Sequence, residues 1–319
     1  MECHCQGQCG SAPQSGGGAG AGMAEFHVGC ALNTWKNVPA PTLDWEDVAL
    51  REVGQAGYAG APTIVEMGQS PAETIARYAR HGLATAPGYF GGTFQVSERR
   101  GAIIEEARRY ARFMREVGCT ELYIAAGGGN YVTRRGKTRR KLAGQITPED
   151  APPDDEFARY AALIDEIGAV ALDEGVRACF HNHVGTIIET RAEMDRLLAL
   201  TDPMHVFVGP DLGHLAWAGD DPVAFCRDHA ERIKSVHLKD CHADVIARGR
   251  AAGWAYPDFV RHGIFAELGE GCVDFPAIFQ LLRAVDFAGW VIAETDRTRR
   301  ATALESATVS RAYLRGLGL

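Results

Sequence analysis

From Phe26 onward, short β-rich apolar runs alternate with longer stretches of helical periodicity. FHVGCAL (26–32), YAGAPTIVEMG (58–68), GLATAPGYF (82–90), ELYIAAGGG (121–129), VRACFHNH (176–183), HVFVGPD (205–211), RIKSVHLKD (232–240) and GWVIAETD (289–296) read as eight strands. Helical patterns follow them, over 43–56, 71–81, 97–117, 155–174 and 190–200 among others. In 97–117, Ile103, Ile104, Ala107, Tyr110, Ala111, Met114 and Val117 recur at helical spacing and Gly118 stops the run. Eight successive βα units without a hairpin signal predict a parallel sheet, and eight is the number that closes a (β/α)8 TIM barrel. An open doubly wound sheet would place a glycine-rich phosphate turn after its first strand, and GCALNTWKN (29–37) is not one. The reading is a single-domain α/β barrel over 24–319 preceded by a tail over 1–23.

Barrels of this kind carry their chemistry at the C-terminal ends of the strands. Here those ends supply Asn33 and Trp35, Glu66, Tyr89, glycines 127–129, His181 and His183, Asp211 and His214, His237 and Lys239, and Glu294. Side chains alternate along a strand, so Cys179, His181 and His183 share a face, as do Ser235, His237 and Lys239. Phe207, Gly209 and Asp211 match in the same way, and so do Ile292 and Glu294. Carboxylate, imidazole and carboxylate on adjacent strands suit a divalent metal: Mn2+ or Co2+ first, Mg2+ or Zn2+ as alternatives. Asp211 in PDLGH also suits a helix cap.

Composition narrows the function. A hydrophobic fraction of 46% and a charged fraction of 23% are those of a globular chain. No apolar run is long enough to span a membrane, so no membrane partner is expected. A net charge of −8 argues against nucleic acid as a partner. The nine cysteines are dispersed rather than framed for disulfides, which points to a reducing, cytoplasmic setting. The first 23 residues hold seven of the 37 glycines and a Cys3–His4–Cys5/Cys9 cluster, with too little apolar mass to order.

HNHVGTIIET (181–190), PDLGHLAWAGDDP (210–222), SVHLKD (235–240), FAELGEGCVDF (265–275) and GWVIAETD (289–296) resemble the xylose-isomerase-like barrel superfamily, and within it the inosose dehydratases of inositol catabolism. The resemblance implies Asp211, His237 and Glu294 as three metal ligands. Glu189 is expected as the fourth, with His183 its competitor. It further implies proton abstraction next to a carbonyl of a cyclic keto-polyol, with the oxygen charge stabilised by the metal, followed by loss of water. His181, His183, Lys239 and Glu66 are the expected acid–base residues. Asn33, Trp35, His214 and Arg261 are the expected substrate contacts. A keto-sugar or sugar phosphate epimerase or isomerase uses the same first step and is the alternative; a non-catalytic binding barrel is a third.

Two segments stand apart from that pattern. The loop GGGNYVTRRGKTRRKLAG (127–144) crowds six basic residues, read either as a solvated surface balanced by EDAPPDDE (149–156) or as a cover meeting an anionic substrate. The aromatic run around 254–265 suits a lid or a subunit contact, and a homo-oligomer is expected.

Overall fold

Pro87 interrupts the third strand, and the barrel is organised around that break. A computed structural model describes residues 24–38, 44–65, 69–95 and 97–319. Glu66 and the cysteines of the tail lie outside the described residues. The strands are β1 (Glu25–Cys30), β2 (Gly60–Pro62), β3 (Ala84–Ala86), β4 (Tyr89–Gly92), β5 (Glu121–Ala126), β6 (Arg177–His181), β7 (Val206–Val208), β8 (Ser235–Leu238), β9 (Asp240–Cys241), β10 (Phe265–Ala266) and β11 (Ala288–Ala293). Parallel pairing runs β3-β2-β1-β11-β8 in one sheet and β4-β5-β6-β7 in the other. Pro87 has no N–H to give a ladder, so β3 pairs with β2 and, two residues on, β4 pairs with β5. Parallel bridges Val208↔Ile233 and Asp211↔His237 join β7 to β8 and close the ring. The expected eight staves are present, the third in two pieces. The antiparallel pair β9–β10, which the hydrophobic pattern did not predict, lies outside them.

Strand parity is realised inside the ring. Ala31, Ala86, Tyr123, Cys179 and Ile292 form one buried cluster, with Tyr89, Phe207 and Trp290 packed on it. Two glycines make room for the large members. A Cβ on Gly60 would stand 2.5 Å from the Trp290 ring, and one on Gly209 2.7 Å from the Tyr123 ring. Outside the ring, helices cover the strands through a second, larger core. Helix Arg100–Glu116 buries Ile103, Ala107, Ala111 and Met114 at the spacing read from sequence. Ser70 with Glu73 and Thr190 with Glu193 close capping boxes on the helices Pro71–Ala79 and Arg191–Ala199.

Above the C-terminal ends, the aromatic run is an ordered roof. Helix Tyr256–Arg261 follows Trp254, and Phe259 and Phe265 pack on Trp217 in a cluster of their own. The turn beneath it is organised by Asp240. Its buried carboxylate accepts the main-chain N–H groups of Cys241, Gly269, Gly271 and Val273 at 2.9–3.1 Å. That one acceptor accounts for the Gly-Glu-Gly-x-x-Asp-Phe segment, since a Cβ on Gly271 would meet the same carboxylate at 2.1 Å. Among the described residues no helix is long and apolar enough to cross a membrane.

Candidate active site

Register brings three predicted residues to one level of the barrel mouth. Ile292 pairs with His237, so Glu294 emerges just beyond it, and Asp211 bridges His237 from the other side. One ligand atom from each of Asp211, His237 and Glu294 lies within 4.8 Å of the others, and all three residues are buried. Asp211 is held by its own main chain: Asn182 Oδ1 accepts its N–H at 3.0 Å and Asn182 Nδ2 donates to its carbonyl at 3.2 Å. Its Oδ1 accepts the His214 N–H at 2.8 Å and caps helix Leu212–Ala218, so the cap reading is realised. The second oxygen, Oδ2, accepts no aligned hydrogen bond. His237 Nδ1 lies 2.5 Å from Glu294 Oε2, and the Tyr89 hydroxyl 2.7 Å from His237 Nε2. Asn33 Nδ2 donates to Glu294 Oε1 and, at 2.8 Å, to Asp296 Oδ1.

The donor set fits a divalent cation. A buried carboxylate oxygen without an aligned donor, an imidazole and a second carboxylate are hard-to-borderline ligands. The charge agrees: Asp211, Glu294 and Asp296 face one ammonium, Lys239, which leaves two negative charges uncompensated. Lys239 Nζ stands 3.0 Å from Asp211 Oδ2, 3.1 Å from Asp296 Oδ2, 3.5 Å from Glu294 Oε2 and 3.2 Å from His214 Nε2. Burial disfavours its charge, but the three carboxylates outweigh it and hold the ammonium well above its ordinary pKa. Burial also raises Asp296, to about 6, with Glu294 adding to it. At Glu294 the burial effect is overcome by Lys239 and His237, and its carboxyl sits well below the usual range.

Three further imidazoles ring the triad, all kept neutral by burial. The His181 ring is 4.9 Å from that of His237, and its Nδ1 has no partner. Burial and then His237 hold it well below an ordinary histidine. His214 stacks on Trp217 and is lowered by burial and then His183. His183 is brought down to about 4 by burial and then Lys239. Its Nδ1 lies 2.8 Å from the Val184 carbonyl, which only accepts, so Nδ1 carries the proton and Nε2 the lone pair. His183 and Asp296 form part of the wall of a cavity of about 630 Å³, completed by Arg140, Tyr256, Arg261, Arg297 and their neighbours.

A strand-end Asp–His–Glu group in a closed eight-stave ring is shared with known proteins of one family only in outline, and the sequence narrows it. The family described as xylose isomerase-like TIM barrel matches residues 50–315. The chain belongs to the xylose isomerase-like TIM barrel family. It is 30% identical over 277 residues to inosose dehydratase of Geobacillus kaustophilus strain HTA426, a match covering 85% of this chain and 88% of the relative. It is 32% identical over 275 residues to the rhizopine catabolism protein MocC of Rhizobium meliloti, with 83% and 79% covered. Among solved structures, the probable 3-DHS dehydratase AsbF of Bacillus anthracis superposes with a TM-score of 0.66 over 92% of this chain and 99% of that one; at 15% identity this likeness speaks for the fold. The chain is an enzyme of this xylose isomerase-like family.

The barrel does not bring every expected residue to the mouth. Glu189 stands outside the ligand group: its oxygens accept the Gly144 and Gly185 N–H groups, each at 2.7 Å. It sits past the end of β6, in a loop whose course strand alternation does not govern. Burial pushes its carboxyl up to about 8, against the pull of Arg139 and those two donors. Trp35 is a core residue, not a substrate contact; its indole N–H donates to Glu52 at 2.6 Å. The short helix Asn33–Lys36 turns it inward while Asn33, two residues earlier, reaches Glu294. Arg261 does border the cavity, paired with Asp258 at 2.9 Å. Sequence reading passed over Asp296, Asn182 and Arg140 as individual site residues. Asp296 shares the parity of Glu294, a signal that was available; Asn182 has the opposite parity of the two histidines, which is why it clamps a neighbouring strand instead of facing the mouth.

Proposed function

We propose that this chain is a lyase that removes water from a cyclic keto-polyol. The observation that carries the reading is the buried Asp211–His237–Glu294 group at the strand ends of a chain 30% identical, over 85% of its length, to an inosose dehydratase. These three residues would hold a divalent cation, Mn2+ or Co2+ by the chemistry of the donors, which when bound supplies a Lewis acid for charge developing on a substrate oxygen. Proton removal next to the ketone then needs a base that is neutral at physiological pH and open to the cavity. His183 meets both needs, with its Nε2 lone pair free of the Val184 hydrogen bond. His181, equally neutral and 6.3 Å away between ring centres, is the second proton carrier, behind His183. Lys239, fixed as an ammonium, donates hydrogen bonds to substrate hydroxyls rather than giving up its proton. Asn33 orients Glu294 and Asp296. The leaving hydroxyl departs as water with a proton returned by an imidazole, so one α-proton and one hydroxide are lost and no oxidant is required. Glu66 keeps its expected acid–base role as part of this reading.

The test is turnover of scyllo-inosose by the purified chain with Mn2+. Growth of the dione absorbance is expected. Uptake of solvent deuterium without loss of water would replace the lyase with a keto-sugar epimerase or isomerase.

A further inference from the structure

The six basic residues of the loop after β5 do not act alike. Arg139 is fully buried: its guanidinium donates to both Glu193 oxygens at 2.7 Å and to the carbonyls of Thr186 and Ile187. Arg135 donates through Nε and Nη2 to the two oxygens of the buried Asp150. Arg139 fixes the segment against the loop that follows β6, Arg135 ties it to Asp150 within its own connection, and Arg140 N donates to the Gly129 carbonyl at 3.1 Å. Arg140 is thereby turned toward the cavity, where its guanidinium lies 4.5 Å from the centre of the Tyr256 ring. Arg297 lines the same cavity. Neither Arg140 nor Arg297 has a carboxylate partner among the described residues, whereas Arg261 on the same wall is paired with Asp258. Asp296, the acidic residue of the lining, is already engaged by Lys239 and Asn33.

Two guanidiniums without a carboxylate partner among the described residues, lining one cavity of about 630 Å³ together with His183, are a recognition device for an oxyanion. We infer that the substrate carries an anionic group, a carboxylate or a phosphate, and that Arg140 and Arg297 select it. The inference rests on the lyase reading and narrows its substrate to an anionic keto-polyol.

Isothermal titration of the Mn2+-loaded full chain with three probes tests it: neutral scyllo-inosose, fructose 6-phosphate and 5-keto-D-gluconate. At least one anionic probe is expected to bind about tenfold or more tightly than scyllo-inosose at low salt, with the preference shrinking as salt rises. The anion that gains identifies the group as phosphate or carboxylate. Arg140→Gln with Arg297→Gln should abolish the preference, while Arg134→Gln, on the exposed part of the loop, should keep it. Scyllo-inosose binding as tightly as both anions, or a double variant that retains the preference, would overturn the inference. The dehydration assay separates the two claims. An anion preference without water loss from any ring ketone removes the lyase and leaves the arginine pair; dehydration of scyllo-inosose with no anion preference does the reverse.

Discussion

Lys239 Nζ lies 3.0 Å from Asp211 Oδ2, the carboxylate oxygen that accepts no aligned hydrogen bond. A buried ammonium thus stands against the oxygen best placed to bind a cation. Like charges in a low-dielectric site repel strongly, so Lys239 and a divalent metal oppose each other there. Lys239→Met should tighten Mn2+ binding by about tenfold or more, measured by isothermal titration, while turnover falls because the substrate loses a donor. Unchanged or weaker Mn2+ binding would contradict the arrangement.

Asp211 Oδ1 caps a helix while Oδ2 faces the proposed cation group, and one substitution separates the two jobs. Asn caps helices as well as Asp does, so Asp211→Asn should keep the His214 N–H bonded and the thermal midpoint close to wild type. The amide offers a weaker ligand and a donor where an acceptor is needed. Mn2+ affinity should fall by roughly two orders of magnitude, equivalent to about 2.7 kcal/mol. Metal content after dialysis reports the outcome.

Glu189 provides the complementary case. Removing its carboxylate leaves the Gly144 and Gly185 N–H groups buried without acceptors, at about 1–3 kcal/mol each. Glu189→Ala should therefore unfold at lower denaturant concentration yet retain Mn2+. Loss of metal with unchanged stability would restore Glu189 as the fourth ligand.

The buried histidines make stability fall in mild acid. His183 titrates at about 4 in the folded chain and near ~6.5 when unfolded. Between those values the unfolded chain binds a proton that the native state refuses, so stability rises with pH across this window. The contribution is fully present above ~6.5 and is lost as pH drops toward about 4, to the extent of roughly 3 kcal/mol. Urea midpoints of wild type and His183→Gln across that range should converge as pH falls. Parallel curves would show that His183 is not held neutral.

Strand period carried most of the site. Alternation placed Asp211, His237 and Glu294 on inward faces, and the pairing of β8 with β11 and the bridge to Asp211 set them level. Alternation has nothing to say once the chain leaves a strand. Glu189 and Trp35 do not join the Asp211–His237–Glu294 group for that reason, the first in a loop and the second on a one-turn helix. The break at Pro87 moved pairing from β2 to β5 without altering the stave count, so the barrel was legible although one strand was not continuous.

What the sequence alone determined is what local geometry dictates: eight staves, their inward residues, the Asp211 cap, and the carboxylate and imidazole side chains that reach the mouth. Tertiary structure decided which charges remain free. Arg139 and Arg140 are neighbours in one basic run, yet the first is neutralised by Glu193, 54 positions away, and the second faces a cavity. Charge carries no periodicity along the chain. Its partner is set by which distant segments the fold brings together, and that is known only when the barrel is closed.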